Sequence, residues 1–206
     1  MTENAPKVLI LGIGNLLWAD EGFGVRCIET MAARWRFPDN VTLLDGGTQG
    51  LYLTDRVRDA DVLIVFDAVD YGLPRGTLKR VEGDEVPSFL GAKKMSLHQT
   101  GFQEVLATAA LLGDSPERLL LIGVQPEELD DYGGSLRPCV KAAIEPALDQ
   151  ALVYLAELGI HPLSQDANEA LGATPHHALR LAAYEARHQE PVEPDCIRAA
   201  CVGLRR

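Results

Sequence analysis

Apolar runs alternate with amphipathic segments along the first part of the chain, the signature of an α/β sandwich. Lys7–Leu11 reads as a buried strand that runs into Gly12-Ile13-Gly14-Asn15. A helix is predicted over about Gly22–Arg36, with Val25, Ile28, Met31 and Ala32 at helical spacing. Val41–Leu44 is a second strand, closed by the turn Asp45-Gly46-Gly47-Thr48, and Gly50–Arg58 a short helix. Asp61–Asp67 contains five consecutive apolar residues and is the clearest central strand. The next extended run, Thr77–Val81, follows after only nine intervening residues, too few for a right-handed crossover with its helix, so this strand is predicted to be antiparallel. A helix at about Thr100–Leu112, a strand at Leu119–Gly123 and a long helix at about Arg137–Leu158 complete the pattern. Pro146 is expected to interrupt or kink that last helix.

Beyond Gly159 the pattern fades. Residues 160–206 hold four of the five histidines, two of the four cysteines and one amphipathic stretch, Ala178–Arg187. The expected organisation is one α/β domain over 1–159 and a partly disordered appendage over 160–206. No C-x-x-C pair occurs, and the interval between Cys196 and Cys201 fits zinc poorly, even with His188 nearby.

Composition narrows the classes. A net charge of −11 over 206 residues argues against a general nucleic-acid binder. No stretch approaches the length of a membrane span, and the first residues lack the basic-then-apolar order of a secretory signal. A cytoplasmic protein without membrane partners is expected. Gly12-Ile13-Gly14-Asn15-Leu16-Leu17 begins like a dinucleotide fingerprint, but Leu17 stands where Gly or Ala belongs. The acidic Asp20-Glu21 at the helix start would repel a pyrophosphate, so nucleotide binding is disfavoured. There is no G-x-S-x-G elbow and no H-E-x-x-H, and Cys27 and Cys139 fall within predicted helices.

What remains is a scattered set of polar residues. Outside the tail the only histidine is His98, in the polar turn Ser96-Leu97-His98-Gln99-Thr100. Glu21 follows the first strand, and Asp67 ends the central one. Ligands in open α/β sheets bind beyond the carboxyl ends of strands, which places both carboxylates at one edge and the His98 loop within reach. A carboxylate after five buried residues is costly unless it caps a turn, pairs with a cation or binds a metal. Two carboxylates and an imidazole suit divalent nickel, zinc or manganese, and the donor types alone do not choose among them.

These same residues carry a resemblance. Gly12-Ile13-Gly14-Asn15 with Asp20-Glu21-Gly22-Phe23-Gly24-Val25 resembles the opening signature of the hydrogenase maturation proteases. Asp45-Gly46-Gly47-Thr48, Asp67-Ala68, Ser96-Leu97-His98-Gln99 and Gly123-Val124-Gln125-Pro126-Glu127 resemble its later blocks, in family order, over about Lys7–Gly159. The wording of 93–101 and 131–135 looks most like the branch serving membrane-bound uptake hydrogenases. The resemblance implies a single twisted, mostly parallel five-stranded sheet with one antiparallel strand and helices on both faces. It implies an endopeptidase of aspartic-type grouping that removes a C-terminal peptide from the [NiFe] hydrogenase large-subunit precursor. Glu21, Asp67 and His98 match the family's metal ligands, and the metal is nickel supplied by the precursor. Asp45, with Gly46 and Gly47 beside it permitting close backbone approach, is a candidate for precursor recognition; an ordinary turn aspartate is the alternative. A non-enzymatic nickel-sensing scaffold for hydrogenase assembly is the competing function.

Overall fold

A computed structural model of the chain describes residues 5–89, 97–165 and 181–188, excepting the side chains of 88, 89, 97–100, 182, 183, 187 and 188. It divides into two compact units, Met1–Thr174 and Pro175–Arg206.

The first unit is built on a five-stranded sheet. Its strands are β1 (Val8–Ile13), β3 (Val41–Gly47), β4 (Val62–Ala68), β5 (Leu78–Glu82) and β6 (Arg118–Val124), in the spatial order β3-β1-β4-β6-β5. All pairings are parallel except that of β5 with β6. The antiparallel strand is therefore the one expected from its short connection. From β1 the chain moves first to β3 on one side and then to β4 on the other. The switch point of the topology lies between β1 and β4, and the carboxyl ends of the strands beside such a point are where open α/β sheets form their ligand crevice.

Alternate residues of each buried strand serve different cores. Val8, Ile10, Val62, Ile64, Phe66, Leu120 and Ile122 pack with α1 (Phe23–Arg34), α5 (Pro138–Ala142) and α6 (Ile144–Glu157). Leu9, Leu11, Ile13, Leu63, Val65 and Leu121 pack with α2 (Thr54–Arg58) and α4 (Leu97–Leu112). Burial on both faces is why β1 and β4 read as unbroken apolar runs.

Several boundaries differ from those read in the sequence. The first helix stops at Arg34, because Trp35 turns extended (φ −133°, ψ 141°) and joins a short strand β2 (Trp35–Arg36). Its partner is β7 (Leu163–Ser164), antiparallel to it. The chain after Gly159 thus returns to the domain: Ile160 is buried in the core, and the Gln165 amide donates to the Arg34 carbonyl at 2.9 Å. The long final helix is two helices, broken at Ala143. Pro146 has no N–H to donate and its ring opposes the carbonyl of Ala142, so the helix restarts with the proline in its first turn. The remaining short helix is α3 (Val86–Phe89).

Helix α4 begins at Leu97, so His98 lies inside its first turn rather than in a preceding polar turn. Gly101 in its first turns meets Gly50: a β-carbon on Gly101 would stand 3.3 Å from the Gly50 Cα. Missing side chains let the two backbones meet.

In the second unit the described element is α7 (Leu181–His188), which overlaps the amphipathic stretch Ala178–Arg187 read from the sequence. The expected disorder of the appendage, and the Cys196 and Cys201 assignments, lie outside the described residues.

Candidate active site at the carboxyl edge of the sheet

Asp67 is the sixth residue of β4 and follows Leu63 and Val65 onto the face covered by α2 and α4. Its side chain is fully buried. Glu21 stands in a single 3-10 turn, Ala19–Gly22, just beyond β1, and is half-buried. Two close backbone contacts bring this turn to Asp67. Gly14 (φ +133°) accepts the Glu21 carbonyl where a β-carbon would be, 1.8 Å away. Gly24, three residues after Glu21, leaves no space for one: a β-carbon would stand 2.2 Å from the Phe66 carbonyl oxygen and 2.3 Å from that of Ile13. Glu21 and Asp67 therefore flank the β1/β4 switch point. The Gly50–Gly101 contact holds the first turn of α4 at this same edge, because Gly50 follows β3. His98 is placed there by its helix position; its side chain lies outside the described residues. Among the described residues no three His, Cys, Asp or Glu side chains form a metal-holding group.

Asp45, at the end of β3, pairs in register with Gly12. Strand β3 continues through Gly47, so the predicted turn is the strand's own end. The Asp45 Oδ1 accepts the Gly47 amide at 2.9 Å, and the Gly47 carbonyl in turn accepts the Gly14 amide at 3.0 Å. Close backbone approach at the double glycine is thus realised within the protein. Burial pushes the Asp45 carboxyl up, against the opposing pull of the Gly47 amide and the Arg26 guanidinium. Arg26 is itself buried and paired with Glu29 at 2.8 Å.

Asp20, the neighbour of Glu21 in the acidic helix start, has a different role. It is fully buried. Its Oδ2 accepts the amides of Glu127 and Glu128, each at 2.8 Å, and its Oδ1 accepts the Arg137 amide at 2.7 Å. Three charge-assisted bonds clasp the segment after β6 onto the turn that carries Glu21. Ala19, immediately before Asp20, is the non-glycine residue with positive φ (33°) among the described ones, a strain of about 1–2 kcal/mol. Trp18 and Tyr132 close the clasp edge to face, with centroids 5.3 Å apart.

Gln125 holds the segment after β4. Its Oε1 accepts the amides of Tyr71 and Leu73 at 2.8 and 3.1 Å, and its Nε2 donates to Asp70 Oδ1 at 3.0 Å. Neither cysteine of the domain has nucleophile character. Burial raises the Cys27 thiol well above its ordinary value. Cys139 is raised by burial and by its contact with Glu127 Oε2 at 3.1 Å.

The comparisons with known proteins agree with this geometry. The family model described as hydrogenase maturation protease matches residues 25–153. The chain belongs to the hydrogenase maturation proteases. It is 65% identical over 187 residues to the hydrogenase expression/formation protein HupD of Thiocapsa roseopersicina, covering 90% of this chain and 85% of that one. It is 64% identical over 183 residues to the HoxM protein of Azotobacter vinelandii, covering 88% and 87%. Identity to the hydrogenase 2 maturation protease of Escherichia coli is lower, 41% over 162 residues. The structure of the hydrogenase maturating endopeptidase HybD from Escherichia coli superposes with a TM-score of 0.73 at 39% identity, covering 77% of this chain and 98% of that one. The higher identity to HupD and HoxM is in keeping with the uptake branch read from the sequence.

Proposed function

We propose that this maturation protease removes a C-terminal peptide from the nickel-loaded precursor of a [NiFe] hydrogenase large subunit, and that Glu21, Asp67 and His98 form its active site. What supports the proposal is that Glu21 follows β1 and Asp67 ends β4, and these are neighbouring parallel strands whose carboxyl ends share one edge of the sheet. The relatives named as maturation proteases and endopeptidases supply the reaction class.

Nickel enters as part of the substrate. Two carboxylates and an imidazole are a donor set of the right chemistry for a divalent ion, and a site that borrows its ion needs no tight affinity of its own. When held there, the ion supplies Lewis acidity toward the scissile carbonyl. The chain's own groups do the rest. Glu21 and His98 hold the precursor in place through its ion. Asp67, in the aspartic-type reading, takes the proton of the attacking water. Asp45, Gly46 and Gly47 receive the precursor beside the crevice. No helix among the described residues is long and apolar enough to cross a membrane. A cytoplasmic location is part of the proposal.

Mass spectrometry of the precursor tests the proposal. Incubation with this protein is expected to shorten the nickel-loaded form and leave the nickel-free form intact. Asp67→Asn and His98→Ala are expected to reduce the rate at least ~100-fold. Wild-type cleavage by either variant would overturn the site assignment. Stable binding without shortening would favour a nickel-sensing scaffold instead.

A further inference from the structure

The register of the sheet sets three residues in one row on the α4 face of the crevice. Asp67 of β4 pairs with Gly123 of β6, and Gly123 pairs with Lys79 of β5. Residues paired in this way project to the same face, as the burial of Val65, Leu121 and Val81 together confirms two positions back. Gly123 has no side chain, and Tyr71 occupies the space it leaves. A β-carbon on Gly123 would stand 2.2 Å from the Tyr71 hydroxyl oxygen and 2.9 Å from Cε2. The phenol is thus laid between a carboxylate on one side and an ammonium on the other, with Lys79 Nζ 5.1 Å from the ring centroid.

The hydroxyl oxygen and Asp67 are both buried, in adjacent positions of the row. Neighbouring parallel strands are about 4.8 Å apart, so a group seated at the Gly123 β-carbon position lies beside whatever Asp67 contacts. The placement is fixed from behind. Gln125, two residues beyond Gly123, grips the Tyr71 and Leu73 amides, and the Val69 amide donates to the Val124 carbonyl at 2.9 Å. Burial and the nearby Asp67 carboxylate push the Tyr71 hydroxyl well above its ordinary value, so the oxygen keeps its proton.

We propose that Tyr71 is a further catalytic residue, whose hydroxyl donates a hydrogen bond to the carbonyl oxygen of the scissile peptide as that oxygen gains charge next to Asp67. Gly123 and Gln125 are its positioning residues. The proposal rests on the reading of Asp67 given above. Its chemistry is that of a fixed donor aimed at developing charge, the type of group whose removal lowers the chemical step rather than binding.

The test compares wild type, Tyr71→Phe, Gly123→Ala, the double variant and Asp67→Asn on the nickel-loaded precursor. Each is read for kcat, KM, precursor affinity by surface plasmon resonance, and Tm. Tyr71→Phe keeps the ring and is expected to lose about 100-fold in kcat, with KM, affinity and Tm little changed. Gly123→Ala must displace the hydroxyl and is expected to lose a similar factor. The double variant should lose no more than Tyr71→Phe alone, because both changes remove one interaction. Wild-type kcat in Tyr71→Phe, or single losses that multiply in the double variant, would overturn the proposal. A fall in precursor affinity or Tm for Tyr71→Phe, large enough to account for its lost activity, would also overturn it. An inactive Asp67→Asn beside a fully active Tyr71→Phe would remove this inference alone, whereas an active Asp67→Asn would remove the reading it rests on.

Discussion

The Asp45 carboxylate accepts the Gly47 amide and feels the nearby Arg26 guanidinium, yet burial outweighs both and raises its pKa. An acid whose folded-state pKa exceeds its unfolded one binds its proton more tightly when folded. Its contribution favours the fold at low pH and is lost as pH rises through the unfolded and then the folded value. At neutral pH the full penalty is present. Asp45→Asn removes the charge and keeps an oxygen for the Gly47 amide. Calorimetry is expected to show the variant at least as stable as wild type at about pH 7, with the difference gone near pH 3, below the ordinary carboxyl range. A less stable variant at neutral pH would contradict the burial argument. A charge retained at a cost to folding fits a role toward the precursor, and the same variant should raise KM for cleavage.

Helix α1 and the strands below it meet at Gly24, and this contact holds Glu21 near Asp67. Gly24→Ala would drive a β-carbon into two backbone carbonyls, neither of which has a rotamer to yield. A loss of about 3 kcal/mol or more is expected, read by urea unfolding. Gly22→Ala is the control: its nearest obstacle stands at 3.4 Å, ordinary contact, and its cost should stay below about 1 kcal/mol. Equal losses in the two would refute the contact as the cause. The strands were legible in sequence because burial on both faces writes an unbroken apolar run, and the antiparallel β5 because its connection is short. The positions of Glu21 and Asp67 at one edge followed from the strand ends. The Asp20 clasp was not legible, since the amides it accepts lie 107 to 117 residues away in sequence and backbone amides carry no residue signature. Tyr71 was hidden for a related reason. Only the register of β4 on β6 reveals that Gly123 is vacant beside Asp67. The start of α4 was placed late because Ser96-Leu97-His98-Gln99-Thr100 reads as a polar turn, whereas the helix already runs from Leu97.

Every group assigned to the site belongs to the first unit, Met1–Thr174. The Escherichia coli hydrogenase 2 maturation protease points the same way, for an alignment of 162 residues takes in 98% of that protein. One such domain is nearly the whole of it. The alignment to the Thiocapsa roseopersicina HupD protein, at 187 residues, is longer than the first unit, so part of the second unit is shared with that relative. Under the proposed site, the second unit is expected to be separable from the chemistry. A chain ending at Thr174 retains β7 and its pairing with β2, and with them the closure of the domain. It is expected to melt within a few degrees of the full chain and to cleave the nickel-loaded precursor with kcat within about twofold. Any effect of the missing residues should appear in KM, where recognition of a particular precursor is expressed. Steady-state kinetics of the two chains side by side decides the matter. A fall of more than about tenfold in kcat at unchanged Tm would show that Pro175–Arg206 supplies a group to the reaction itself.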